Sequence, residues 1–392
     1  MKTVAKTGNE AMAYAMKQIN PDVVAAYPIT PATEVVQIFS NYVADGEVDT
    51  EFVAVESEHS ALSACVGASI AGGRVMTSTS SQGLALMHEI LYIAAGNRLP
   101  IVIALVNRSL SAPINIHCDH SDTMGSREAG WMHLYCANSQ EAYDSLIIAL
   151  KTAEATAVPA IVSTDAFILS HAMERLEVLE DSDVQNFIGE YRPRFSALDL
   201  ENPKTYGPLD LQDYFFEHKR AQIDDFSKVL RAYDKAAKDY AELSGRYYPA
   251  LEEYKTEGAE VAIFAAGSTA DTAKEVVDNL REQGRKVGLV RMRMWRPLPV
   301  EQIKAALGKF KAVAVMDRSD TMADFGGPVF LETRGMLYDS EEKPLITDYV
   351  YGLGGRNIKL TDIARVYDDI EQVAKAGKIE KLITYLGVRG EK

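Results

Sequence analysis

Apolar positions in the first part of the chain follow two alternating rhythms. Short, mainly apolar segments at residues 23–26, 51–55, 74–79, 100–106 and 160–163 read as strands. Between them, apolar residues recur at helical spacing over 9–18, 34–44, 57–71, 83–95 and 139–155, with turn residues at the joins and a long loop over 107–130. Short apolar strands separated by helices imply βαβ units and a mainly parallel sheet covered on both faces.

The rhythm changes between residues 171 and 258, where charges and aromatics intermix and strand signals disappear. Tyr206, Tyr214, Phe215, Phe216, Tyr247 and Tyr248 make this stretch too apolar for a flexible linker, so it reads as an ordered strap. Ile223, Phe226, Val229, Leu230, Tyr233 and Ala237 fall at helical spacing and predict one long helix over 222–243. A second α/β unit follows, with strands at 260–265, 286–290 and 312–316 and helices at 269–282 and 300–307. The fold class expected is therefore α/β, two doubly wound domains joined by a long ordered connector.

Composition narrows the chemistry. The 392 residues are 47% apolar and 25% charged, ordinary globular usage, and 56 acids against 41 bases give a formal net charge of −15. That field repels phosphate backbones and anionic lipid, so neither nucleic acid nor membrane is an expected partner. No run reaches about 18 apolar residues and the start lacks a signal-type apolar core, which leads to a cytoplasmic expectation. Cys65, Cys118 and Cys136 form no C-x-x-C pair, so this chain carries no cysteine set for an iron–sulfur cluster of its own.

Three places join a strand end to residues with chemistry. Tyr27-Pro28-Ile29-Thr30-Pro31 follows the first parallel strand, where ligands bind in open α/β sheets; its prolines either hold Thr30 toward a ligand or merely brace a turn in which Thr30 caps the next helix. Glu56-Ser57-Glu58 opens a helix, where an acid serves the helix dipole or protonates a heterocyclic nitrogen. Arg108, directly after the 100–106 strand, suits bidentate capture of a carboxylate or a surface salt bridge. The loop from His117 to Asp122 offers metal-type ligands without a matching cluster to complete a set, and reads better as an active-site loop. No G-x-x-x-x-G-K-[ST] is present, and the glycine-rich Tyr351-Gly352-Leu353-Gly354-Gly355 lacks the strand-to-helix context of a dinucleotide fingerprint.

Taken in order, YPITP (27–31), ESEHSA (56–61), VNRSLSAPINIHCDHSD (106–122) and MRMWRPLP (292–299) resemble the α subunit of the 2-oxoacid:ferredoxin oxidoreductases, the pyruvate enzymes most closely. The resemblance covers essentially the whole chain. It implies a pyrimidine-binding thiamine diphosphate domain over residues 1–170, a connector over 171–258 and a transketolase C-terminal-like domain over 259–392. It also implies CoA-dependent oxidative decarboxylation of pyruvate to acetyl-CoA and CO₂, with electrons passing to ferredoxin, and the reverse reductive carboxylation.

Carried over by position, Glu58 matches the catalytic glutamate that hydrogen-bonds N1′ of the aminopyrimidine and shares its proton. Thr30 and Arg108 match the residues that contact the 2-oxoacid and hold its carboxylate, and Pro28 and Ile29 line the cofactor pocket. No residue of this chain is assigned to a metal. The GDG-type motif for diphosphate and Mg²⁺ and the cysteines for [4Fe-4S] clusters are absent from the sequence, so the resemblance places them on β, γ and δ partner subunits. The aromatic stretch around 206–254 is expected to form part of the contact with those partners, or else to dock one domain on the other. Other readings of the residues stand beside this one: another 2-oxoacid (2-oxobutyrate, branched-chain, 2-oxoglutarate, oxalate), a lipoamide-linked dehydrogenase component, or a non-catalytic scaffold.

Overall fold

The structure, a computed structural model, describes residues 1–390. The chain opens with β1 (Lys2–Thr7) and α1 (Gly8–Ile19), joined by a capping box in which Thr7 accepts the Glu10 N–H and Glu10 accepts the Thr7 N–H. Then come β2 (Val23–Ala26), α2 (Thr33–Ala44), β3 (Glu51–Ala54), α3 (Glu58–Ala71) and β4 (Val75–Thr79). Two short helices, α4 (Ser81–Leu86) and α5 (His88–Gly96), lead to β5 (Val102–Asn107), α6 (Ser121–Gly125), β6 (Met132–Tyr135), α7 (Ser139–Thr156) and β7 (Ala160–Asp165).

Strands β2 to β7 form a parallel sheet in the order β6-β7-β5-β4-β2-β3. Successive residues of its strands face opposite sides. Val102, Ala104 and Val106 pack under α1, α2 and α7, whereas Ile101, Ile103 and Leu105 pack under α3 and α5. The central strands are buried on both faces, whereas the edge strand β3 leaves Glu51 and Ala54 exposed.

The next stretch differs from the sequence expectation in three ways, one of them a short strand at Leu251–Tyr254 where none is expected. Residues 173–178 form a strand, β8 (Met173–Val178), paired antiparallel with β1 in a two-stranded ribbon. Its Leu176 and Val178 are buried while Met173 and Arg175 are exposed, so the polar alternation that hid it is the signature of a half-buried strand. The single helix expected over 222–243 is two: after α8 (Asp181–Ile188) come α9 (Phe215–Phe226) and α10 (Val229–Ser244). At the break the Ser227 hydroxyl donates to the Asp224 carbonyl at 2.7 Å and competes with the helix ladder. Helix α10 buries Val229, Tyr233, Ala236, Ala237 and Tyr240, packing on α7, whereas α9 buries nothing.

The second half contains β9 (Leu251–Tyr254), β10 (Val261–Ala266), α11 (Ser268–Glu282), β11 (Val287–Met292) and β12 (Met294–Arg296). It continues through α12 (Val300–Gly308), β13 (Ala312–Asp317), α13 (Pro328–Leu337), β14 (Leu345–Tyr351), α14 (Leu360–Ala376) and β15 (Ile383–Leu386). A six-stranded sheet runs β15-β14-β13-β10-β11-β9, parallel except for the edge strand β9. Strand β12 leaves this unit and pairs antiparallel with β6, completing a seven-stranded first sheet.

Buried charge joins the two halves where β11 and β12 cross over. Glu141 at the start of α7 takes both Arg291 and Arg293, and all three side chains are almost fully buried. Burial alone would raise the Glu141 pKa, yet the two guanidinium groups hold it down at about 2. Arg296 reaches Glu332 at 2.9 Å, so the arginines of the 292–299 motif serve as a structural clasp.

Candidate active site

The carboxyl ends of β2, β3, β4 and β5 converge on one side of the first sheet, the position where an open α/β sheet presents a crevice. After β2, the YPITP turn leaves Tyr27, Pro28 and Thr30 exposed and Ile29 half-buried. Thr30 does not cap the next helix: α2 begins at Thr33 with Ala32 as its N-cap and no side-chain cap bond. Thr30 takes part instead through its backbone carbonyl, which accepts a hydrogen bond from Arg108 Nη1 at 2.8 Å.

Arg108 is 6% exposed and has no carboxylate partner among the described residues, so it is no surface salt bridge. Besides Thr30, its Nε donates to the Asn115 carbonyl at 2.9 Å. Burial lowers its pKa and nearby Asp122 opposes the shift, but a guanidinium stays charged. Two of its N–H groups are spent on carbonyls, and those that remain are free for an anionic ligand.

The two acids at the start of α3 part ways. Glu56 is exposed and accepts the Ser60 hydroxyl at 2.5 Å, which lowers its pKa; it stabilises the first turn of the helix. Glu58 is 7% exposed, and no described residue donates a hydrogen bond to its carboxylate. Gly83 closes over it: a Cβ at that position would stand 2.8 Å from Glu58 Oε1 and 2.3 Å from Thr79 Oγ1. The buried Thr79 hydroxyl likewise has no partner among the described residues. Unmet acceptors behind a glycine that admits no side chain fit a flat, donor-bearing heterocycle, the edge an aminopyrimidine presents.

Asp122 ties these pieces together. Its carboxylate accepts the backbone N–H of Ser81 at 3.1 Å and of Arg108 at 3.0 Å, together with the Asn107 side-chain amide at 2.8 Å. Burial raises its pKa to about 6 against these donors. Ser81 is held at φ +48°, a left-handed conformation unfavourable to serine, and its hydroxyl donates to the Ser109 carbonyl at 2.7 Å. The turn that covers Glu58 and the strand exit that carries Arg108 are thus fixed to the same carboxylate. Sequence reasoning placed Asp122 in an active-site loop without this role, and passed over Gly83 and Asn115. The signal available was the hydroxyl-rich run Thr77-Ser78-Thr79-Ser80-Ser81 ending an otherwise apolar strand.

The Cys118, His120 and Asp165 side chains do meet, with ligand atoms within 4.8 Å of one another. Asp165 is already neutralised: Arg318 Nη1 lies 2.9 Å away, His120 Nε2 2.8 Å, and the Ser268 N–H donates at 3.0 Å. Burial opposes ionisation, but Arg318 and His120 hold the carboxyl far below its usual range. A resident guanidinium occupies the place a cation would take, and the cluster anchors the second unit to the end of β7.

Comparison with known proteins decides the family. Residues 14–238 match the family described as pyruvate flavodoxin/ferredoxin oxidoreductase, thiamine diP-bdg, and residues 259–363 match pyruvate:ferredoxin oxidoreductase core domain II. The chain belongs to the pyruvate:ferredoxin oxidoreductase family. Among relatives, it is 50% identical over 393 residues to pyruvate synthase subunit PorA of Thermotoga maritima, spanning 99% of each chain. Among solved structures, the 2-oxoglutarate:ferredoxin oxidoreductase of Magnetococcus marinus superposes with a TM-score of 0.73 at 21% identity, over 94% of this chain and 65% of that one. A split-gene transketolase superposes with a TM-score of 0.52 at 12% identity, over 94% of this chain and 99% of that one. The last two speak for the fold, a thiamine-diphosphate-type α/β architecture shared across the oxidoreductases and transketolase.

Proposed function

We propose that this chain is the α subunit of a CoA-acylating pyruvate:ferredoxin oxidoreductase and contributes the pyrimidine side of its thiamine diphosphate site. The observation that carries this reading is the convergence on one sheet end of a buried, undonated Glu58 and a buried Arg108 bonded to Thr30. Thiamine diphosphate, when bound, supplies the nucleophilic carbon and electron sink that decarboxylation of a 2-oxoacid requires. Glu58 holds the proton at N1′, Pro28 and Ile29 flank the ring, Arg108 binds the substrate carboxylate and Thr30 contacts the 2-oxoacid. Asp122 keeps Arg108 and the Ser81 turn in register.

The diphosphate, Mg²⁺ and [4Fe-4S] clusters belong, on this reading, to β, γ and δ partner subunits, with coenzyme A as acyl acceptor and ferredoxin as electron acceptor. Residues 1–170 act as the pyrimidine-binding domain, 171–258 as connector and 259–392 as the transketolase C-terminal-like domain, in the cytoplasm. No helix among the described residues is long and apolar enough to cross a membrane. Exposed apolar side chains on the elements that carry the site, namely Tyr27, Leu86, Ile114 and Ile116, support a partner there.

Reduction of a low-potential acceptor by the assembled complex tests the assignment. Pyruvate is expected to exceed 2-oxobutyrate, branched-chain 2-oxoacids, 2-oxoglutarate and oxalate in kcat/KM, with turnover dependent on coenzyme A. Preference for another acid reassigns the substrate, and turnover with lipoamide in place of ferredoxin overturns the reading.

A further inference from the structure

The glycine-rich turn after β14 belongs to the second unit, yet it is seated on the loop that holds Arg108. The Asn115 side-chain amide donates to the Gly354 carbonyl at 2.9 Å, the Gly354 N–H donates to Asp119 Oδ2 at 3.2 Å, and the Gly355 N–H donates to the Cys118 carbonyl at 2.6 Å. Contact is backbone-close. A Cβ on Gly354 would lie 2.5 Å from Asn115 Nδ2, and one on Gly355 would lie 2.3 Å from the His117 Cβ. Both glycines sit at positive φ, +60° and +77°, so their lack of a side chain is required twice over.

From there the bonds run straight to the proposed carboxylate site. Asn115, gripped by Gly354 through its amide, accepts Arg108 Nε at its own carbonyl, and Arg108 Nη1 then reaches the Thr30 carbonyl. The Asn115 side-chain oxygen accepts the His117 N–H at 2.8 Å, and the His117 carbonyl accepts the Ser109 N–H at 3.0 Å, which closes the loop on itself. Each step is a hydrogen bond of between 2.6 and 3.2 Å. The glycine-rich turn therefore sets the height of the Asn115 carbonyl, and through it the tilt of the guanidinium plane.

We infer that Gly354 and Gly355 are positioning residues for substrate recognition: the second unit fixes the Arg108 fork through Asn115, and so tunes affinity for the 2-oxoacid carboxylate. This inference rests on the proposed role of Arg108 as carboxylate binder.

The test compares steady-state kinetics of the assembled complex carrying Gly354→Ala, Asn115→Ala, the double variant, or Arg108→Lys, with pyruvate as variable substrate. Gly354→Ala and Asn115→Ala are each expected to raise KM by roughly ten- to a hundredfold, the cost of misplacing a binding group by about an ångström, while kcat and the concentration of thiamine diphosphate needed for half-activity stay near the parent values. The double variant is expected to match the worse single one, since both break one chain of contacts. If Gly354→Ala fails to assemble, Asn115→Ala carries the test alone. A raised KM in Arg108→Lys with parent KM in Asn115→Ala and Gly354→Ala would overturn the positioning inference and leave the carboxylate reading standing. An unchanged KM in Arg108→Lys would remove the carboxylate reading itself.

Discussion

At the scale of single residues, what separates Glu58 from Glu56 is its surroundings, since the two acids flank the Ser57 N-cap of one helix. Glu56 is satisfied by Ser60 in water, whereas Glu58 is buried against Gly83 with nothing in the described chain to donate to it. A carboxylate so placed is open to a ligand that donates to it. Glu58→Gln keeps the shape and the packing but cannot share a proton with a ring nitrogen. The expected result is an assembled complex with pyruvate turnover reduced by on the order of 10²–10⁴, the usual contribution of a positioned acid–base group. Parent-rate turnover would return Glu58 to the helix-dipole role that fits Glu56. From sequence chemistry alone both acids qualified, and only motif resemblance singled out Glu58. The glycine that makes its pocket was illegible, because a close approach between Gly83 and Thr79 depends on how a turn folds back and not on local pattern.

At the scale of elements, most strands buried on both faces were legible from their apolar residues, but β6 and β14 were not: His133 in the one and Thr347 and Asp348 in the other interrupt runs that are buried all the same. The β1–β8 ribbon was not legible either, because a strand with one wet face carries as many charges as a loop. The split between α9 and α10 escaped because the helical spacing continues in register across Ser227 and Lys228. The start of α13 carries a different tension. Asp317 accepts the Val329 and Phe330 N–H groups, and Asp348 accepts the Gly327 N–H at 2.7 Å, so two buried carboxyls face one helix start. Burial raises both, with the Asp348 pKa pushed up to about 7. A carboxyl whose folded pKa is raised stabilises the fold fully below the ordinary carboxylate range, and that contribution is lost as pH rises through the folded pKa. Asp348→Asn keeps an oxygen for Gly327 and removes the ionisation. Its melting temperature relative to the parent protein should therefore rise between pH 5 and pH 8, measured by thermal unfolding; parallel pH profiles would show that Asp348 does not titrate there.

At the scale of the whole molecule, two doubly wound units are locked by buried ionic contacts at Glu141 and Asp165, with β12 returned to the first sheet. Their number and order were legible from the strand–helix rhythm, whereas the clasp was not: Arg293 reads as a member of a motif, and its pairing with Glu141 across 152 residues leaves no local trace. The connector divides between two jobs. Tyr233 and Tyr240 pack into the core, while Tyr214, Phe215 and Phe216 stay exposed on a helix with no buried face. On the proposed function, this chain brings the pyrimidine side of a thiamine diphosphate site without a diphosphate motif, and the site is complete only at the contact with a β partner. Titrating magnesium and thiamine diphosphate calorimetrically into the purified chain, and then into its complex with the β subunit, measures this directly. No saturable binding to the chain alone and stoichiometric binding to the complex are predicted; tight stoichiometric binding to the isolated chain would mean that the site is not shared.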